Sequence, residues 1–192
     1  MSNEEETLIL DSVNRWLERD VAPYAHDLEQ ADEYPHAMVE QMKELGLFGA
    51  TITPEYGDLR LSASTYSKIV AAVAEVWMSL SGIFNSHLIM ARCVQSFGTE
   101  EQKQKYLPKL AAGEWIGSFC LSEPEAGSDA TMQRTTAVDM GDHYLLNGTK
   151  NWITNGGSSS IHLVIAQTNP ELKHRGINAF IVETSWDGVT VG

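Results

Sequence analysis

The chain has 192 residues, of which 43% are hydrophobic, and carries a formal net charge of −13. That length can bury the core of one or two domains, and no apolar run reaches the ~18 residues of a membrane span. Residues 1–58 hold 14 acids against three bases (Arg15, Arg19 and Lys43), so a basic face for nucleic acid is excluded.

The acidic start reads as a solvated surface, with a docking surface for a basic partner as the alternative. Three acids and no base in the first six residues are the reverse of a secretory or transit leader. Cys93 and Cys120 form neither a metal-binding spacing nor a disulfide framework. A reducing, cytoplasmic setting and no metal site are expected.

Ile9, Val13, Trp16 and Leu17 recur at helical spacing and predict a first helix. Pro35 fits a first helical position, Met38, Met42 and Leu45 form a stripe, and Gly46 closes that helix. Thr53-Pro-Glu-Tyr-Gly57 is a turn. Ser62 is the expected N-cap of the next helix, with Tyr66, Ile69, Val70, Val73 and Trp77 on its buried face. Over 83–97 apolar residues lie all round the cylinder, which predicts a central helix. Thr99-Glu-Glu-Gln102 is a capping box. Pro108 and Gly113 are expected to end the helical region.

After Glu114 the period changes. Strands are expected over 116–122, 131–138, 143–147, 149–154, 161–168 and 178–183. Asn147-Gly148 predicts a tight hairpin, and Met140-Gly-Asp142 and Asn155-Gly-Gly157 two further turns. The plan is α+β: an N-terminal helical bundle over 1–115, then an antiparallel β domain over 116–192.

Two stretches carry the chemistry. In Phe119-Cys-Leu-Ser-Glu-Pro-Glu-Ala-Gly-Ser-Asp129 a strand ends at the Ser122 hydroxyl and gives way to a turn at Ala126-Gly127-Ser128. Small residues let a backbone approach a ligand, and its N–H groups can point at an anion. The alternative is a capped turn without a ligand. In Tyr144-Leu-Leu-Asn-Gly-Thr-Lys-Asn-Trp-Ile-Thr-Asn-Gly156 the return strand is expected to place Trp152 and Thr154 on one face. An aromatic beside a hydroxyl suits a flat heteroaromatic cofactor. The alternative is a tryptophan packed in the sheet core.

Together these stretches resemble the acyl-CoA dehydrogenase family. Ser122 to Asp129 is similar to its strand-turn signature at every fixed position, and Tyr144 to Gly156 to its second motif. Phe97-Gly-Thr-Glu-Glu-Gln-Lys and Lys105-Tyr-Leu-Pro-Lys-Leu-Ala-Ala-Gly-Glu114 resemble the helix leading into its β domain, and the likeness runs from about Asp11 to Gly192. One departure is the loop after Pro54-Glu-Tyr-Gly57, where Asp58 and Arg60 stand in place of glycines.

The resemblance implies FAD as cofactor and an acyl-CoA thioester as substrate. Phe119, Leu121 and Ser122 would lie along the isoalloxazine ring, with the Ser122 hydroxyl near flavin N5. Gly127 and Ser128 would sit at the pyrophosphate, Ser128 also near the coenzyme A thioester. Trp152, Ile153 and Thr154 would flank the ring from the other side. The reaction implied is α,β-dehydrogenation, used in fatty acid or amino acid catabolism, with an electron-transfer flavoprotein as acceptor and a homo-oligomer in the full-length form. The family's base is a glutamate in a C-terminal helical domain. None of Glu114, Glu123, Glu125 or Glu183 matches it, so the chain is expected to be an inactive N-terminal fragment with an incomplete β domain and no catalytic residue of its own. Ser79 stands where an enzyme for dicarboxylic acyl groups has arginine, which implies a neutral acyl chain. His87 reads as a packed helix histidine. Other readings are a same-fold flavin oxidase or monooxygenase, and a non-catalytic binding module.

Overall fold

The computed structural model describes residues 2–57 and 60–192. Asp58, one of the two departures from the family loop, lies outside the described residues; Arg60, the other, has a left-handed φ of 38°. The chain forms two compact units, Met1–Trp115 and Ile116–Gly192.

The first unit is helical. Helix α1 (Asn3–Trp16) opens on a capping box in which Ser2 and Glu5 each satisfy the other's backbone N–H. It runs into a π turn over Leu17–Val21 and then α2 (Ala22–Ala31). Pro23 accounts for the wide turn, because a proline has no N–H and its ring collides with the carbonyl four residues back, here Arg19. The Ala22 N–H reaches back to Leu17 O instead. Helix α3 (His36–Glu44) begins beside Pro35 and ends before Gly46, whose φ of 71° only glycine adopts without strain.

Helix α4 (Ala63–Val76) is capped by Ser62, as its sequence predicts, and α5 (Met78–Phe97) is the central helix. Trp77 separates them in an extended conformation. Its indole N–H donates to Glu29 Oε2, which also accepts from the Ser79 hydroxyl at 3.2 Å. The Thr99–Gln102 capping box opens α6 (Glu100–Ala111). Pro108 lies inside α6 and does not end it; the stop is Gly113, at φ 67°. Phe48, Phe84, Met42, Leu80, Leu107 and Leu110 are fully buried in this unit, each contributing about 1.5–3 kcal/mol of burial. None of the described helices is long and apolar enough to cross a membrane.

The second unit is a five-stranded sheet: β1 (Gly117–Cys120), β2 (Thr136–Asp139), β3 (Tyr144–Asn147), β4 (Ile161–Gln167) and β5 (Ile177–Glu183). The helices-then-strands plan holds, but the sheet is mixed and not wholly antiparallel. β2–β3 and β4–β5 are antiparallel, whereas β1 runs parallel to β4, with Ser118 opposite His162, and β2 meets β4 in parallel at Thr136 and Gln167.

Two local expectations fail. The β2–β3 hairpin turns at residues 140–143, where Gly141 has φ 99°, and not at Asn147-Gly148. Gly148 is required for close packing: a Cβ there would stand 2.7 Å from Thr135 Cα. Residues 149–154 form no strand; the Lys150 ammonium donates to Leu121 O and the Asn151 N–H to Ser122 O.

Candidate functional site

Strand β1 sets the first wall. Its Gly117, Ser118 and Cys120 are buried while Phe119 is half-buried, and the period of two puts Ser118 and Cys120 on one face. Leu121 and Ser122, just beyond the strand, are also half-buried. Ser118 and Cys120 share the buried face with His162, whose Nδ1 lies 2.5 Å from Ser118 Oγ and 3.2 Å from Ser159 Oγ. Burial lowers the His162 pKa, so this cluster is a neutral polar rivet between β1, β4 and the turn before β4.

The tight turn expected at Ala126-Gly127-Ser128 lies earlier, between Glu123 and Ala126. Glu123 and Ala126 exchange backbone hydrogen bonds, Glu123 N to Ala126 O at 2.9 Å and Ala126 N to Glu123 O at 3.2 Å. Gly127 and Ser128 follow it, exposed. A Cβ at Gly127 would meet nothing within 4 Å, so the space over this backbone is open to a ligand. Asp129 is occupied locally: its carboxylate accepts from the Thr131 N–H at 3.0 Å and hydroxyl at 2.5 Å.

The second motif lies against the first. The Asn151 N–H donates to Ser122 O at 2.9 Å, and Trp152 follows with φ 55° and 87% of its surface exposed. The core-packed alternative for this tryptophan is therefore wrong. The strand geometry expected to put Trp152 and Thr154 on one face is also absent; both are exposed, but on a bend and turn. A bulky residue in the left-handed region costs about 1–3 kcal/mol and persists only where its surroundings impose it. Ile153 is half-buried, and Asn155 anchors the turn by donating from Nδ2 to Gly117 O at 3.2 Å.

Two residues before Trp152 lies a buried ion pair that the motifs alone did not single out. Lys150 Nζ lies 2.7 Å from Glu123 Oε1, with side-chain exposures of 10% and 2%. Burial works to raise the Glu123 pKa, but the Lys150 ammonium and the N–H groups of Arg134 and Thr135 outweigh it and hold it at about 2. Glu123 is thus a structural anchor of the Glu123–Ala126 turn, charged at neutral pH. The signal that could have found the pair is Lys150, the single charged residue of its motif, set against a first motif that holds three acids, Glu123, Glu125 and Asp129.

In the helical unit, His87 is fully buried against Phe48, with Nε2 3.1 Å from Phe48 O, and burial pushes its pKa down to about 4. It is a packed residue. Among the described residues no group of histidine, cysteine or carboxylate side chains could hold a metal ion.

Residues 3–114 match the acyl-CoA dehydrogenase N-terminal domain and residues 118–192 the acyl-CoA dehydrogenase middle domain. An acyl-CoA dehydrogenase of Bacillus subtilis is 36% identical over 190 residues, covering 98% of this chain and 50% of the relative. The fold is similar to a chain in the structure of the electron transferring flavoprotein of Acidaminococcus fermentans, with TM-score 0.92, 35% identity, and 98% of this chain and 50% of that one covered. It is similar also to an acyl-CoA dehydrogenase of Bacillus anthracis complexed with FAD, with TM-score 0.85, 32% identity, and 100% and 33% covered. The chain spans about half the length of the curated relatives it matches. It belongs to the acyl-CoA dehydrogenase family.

Proposed function

We propose that this chain supplies the flavin-facing and thioester-facing surface of a flavin-dependent acyl-CoA dehydrogenase. The observation that carries the reading is Trp152, a large aromatic side chain left exposed in a left-handed conformation and held beside Ser122. Neither burial nor local preference accounts for it, and strain of this kind gathers where a ligand is gripped.

FAD fits the residues present. Phe119, Leu121 and Ser122 would hold one side of its ring, and Trp152, Ile153 and Thr154 the other. Gly127 and Ser128 would meet the pyrophosphate across the open space above Gly127. When bound, FAD supplies the acceptor for the β hydrogen of the thioester. The fixed N–H and O–H groups of this chain favour the negative charge that develops in such a site, because they need not reorganise. Ser128 would hold the thioester of an acyl-CoA with a neutral acyl chain.

No carboxylate of this chain is assigned as the base that takes the α proton. Glu123, the buried one in the site, is ionised down to about pH 2 and saturated with donors, so it is too weak a base. An electron-transfer flavoprotein is the proposed electron acceptor, supported by the likeness to the Acidaminococcus structure.

The test is titration of the purified chain with FAD, followed by absorbance and tryptophan fluorescence, and then dye reduction with straight, branched and dicarboxylic acyl-CoAs. The reading expects saturable flavin uptake and no turnover by the chain alone. A chain that takes up no flavin defeats the cofactor assignment, and turnover by the pure chain defeats the statement that it holds no base.

A further inference from the structure

Lys150 has three hydrogens to give and three acceptors around it. Its Nζ lies 2.7 Å from Glu123 Oε1, 3.1 Å from Leu121 O and 3.0 Å from Gln133 Oε1. Glu123 in turn accepts from the Arg134 N–H at 2.6 Å and the Thr135 N–H at 3.1 Å. One ammonium and one carboxylate therefore tie together the end of β1, the Glu123–Ala126 turn, residues 133–135, and the segment that enters Trp152. We infer that Lys150 and Glu123 are positioning residues: a fully satisfied buried latch that fixes the separation of the two flavin-facing stretches, Leu121–Ser122 and Trp152–Thr154. The inference rests on the flavin reading above.

Three features separate this from an ordinary stabilising contact. Replacing a buried ion pair by apolar residues of similar size is often neutral or better for stability, so such pairs are poorly explained by stability alone. The latch takes up the Leu121 carbonyl, which fixes the orientation of the peptide entering Ser122. It also stands two residues before Trp152, whose left-handed φ needs a rigid neighbour. Both side chains are at least nine-tenths buried, so neither offers a surface to a ligand; they act through the residues they hold.

The experiment uses the full chain and FAD. Lys150→Met keeps the stem and removes the charge, leaving the Glu123 carboxylate buried and unpaired. The double variant Lys150→Met/Glu123→Met removes both charges and restores an apolar interior. Gln133→Met removes one acceptor and leaves the pair intact. Folding is followed by cooperative unfolding, and flavin by its affinity and its visible circular dichroism, which reports the asymmetry of the groups around the ring.

The double variant is expected to unfold cooperatively while its FAD affinity falls about tenfold or more and the visible dichroism of bound flavin changes. Gln133→Met is expected to weaken binding by roughly threefold, with the same direction of spectral change. A variant with only a structural defect would lose folded fraction and keep the affinity and spectrum of the folded molecules. A folded double variant with unmodified affinity and dichroism overturns the latch alone, and so does an unchanged Gln133→Met if the double variant does not fold. An unmodified chain that takes up no FAD overturns the flavin reading and the latch with it.

Discussion

The backbone N–H of Asn151 donates to the carbonyl of Ser122 at 2.9 Å, joining two motifs that lie 29 positions apart. Through this bond the residue after Asn151, Trp152, is delivered to the end of β1. The bond makes a specific demand on Trp152, which must turn left-handed immediately afterwards.

Trp152→Gly separates fold from function. The side chain is 87% exposed, so little packing is lost, and glycine adopts φ 55° without the penalty of a Cβ. Unfolding free energy is expected to stay within about 1 kcal/mol of the unmodified chain, because relief of strain offsets the extra freedom of glycine when unfolded. Flavin affinity should fall severely. Denaturant unfolding alongside an FAD titration tests both halves, and a large loss of stability would mean that the indole packs on protein.

Quenching of tryptophan fluorescence by FAD is expected to come mainly from Trp152. Trp16 and Trp77 are buried in the helical unit, and Trp186, at 49% exposure, follows β5. Trp152→Phe should remove most of the quenching. Equal quenching in the variant would take Trp152 out of the site.

Much of the helical unit was legible because its signals are local. Ser62, Thr99 with Gln102, and Gly46 each act on backbone groups within four residues, and each does what its type predicts. The π turn and α2 were missed because Pro23 acts on the carbonyl four residues behind it, inside an otherwise uninterrupted helical pattern. In the β unit five of the six expected strands form, the one expected over 131–138 only from Thr136 and the one over 149–154 not at all, and their pairing was not legible. The β1–β4 pair joins Gly117 to Ile161 in parallel, and no period in either strand records the direction of its neighbour. Asn147-Gly148 misled because Gly148 satisfies a packing constraint against Thr135. The site residues were legible as motifs, but the Lys150–Glu123 pair that organises them exists only once the chain is folded.

Acid should weaken the helical unit below pH 6.5 through His87, and the β unit first through His162, whose pKa burial also lowers from 6.5, and then through Glu123. The folded pKa of His87 is lowered to about 4 from 6.5 by burial, so its contribution is present above pH 6.5 and is lost as pH falls towards 4. The loss is on the order of 3 kcal/mol. The Glu123 pKa lies at about 2 against 4.5 unfolded, so its contribution is present above pH 4.5 and fades towards pH 2. His87→Gln is expected to cost about 1–3 kcal/mol at pH 7 and to flatten the pH 6.5–4 limb, which urea unfolding across that range measures. A limb of unchanged steepness would mean that another group titrates there.

Two glycine substitutions of identical chemistry should behave in opposite ways. At Gly148 a new Cβ would lie 2.7 Å from Thr135 Cα, a backbone atom of the segment that carries the N–H groups held by Glu123. Backbone cannot swing aside as a flexible side chain can, so Gly148→Ala must displace residues 133–135 or residue 148 itself. Overpacking of this kind costs about 1–3 kcal/mol. At Gly127 the same methyl meets nothing within 4 Å, and the residue is not among the glycines with positive φ. Gly127→Ala should therefore leave unfolding unchanged to within about 0.5 kcal/mol, or slightly improve it by restricting the unfolded chain. Its effect should fall on the ligand, because the added methyl occupies the space where the FAD pyrophosphate is proposed to approach the backbone. Thermal unfolding and FAD titration of both variants give four numbers whose pattern decides the matter. Gly148→Ala should lower the unfolding midpoint, and Gly127→Ala should lower flavin affinity at an unchanged midpoint. Full flavin affinity in Gly127→Ala would move the phosphate-facing part of the site away from Gly127 and leave that glycine without a role in binding.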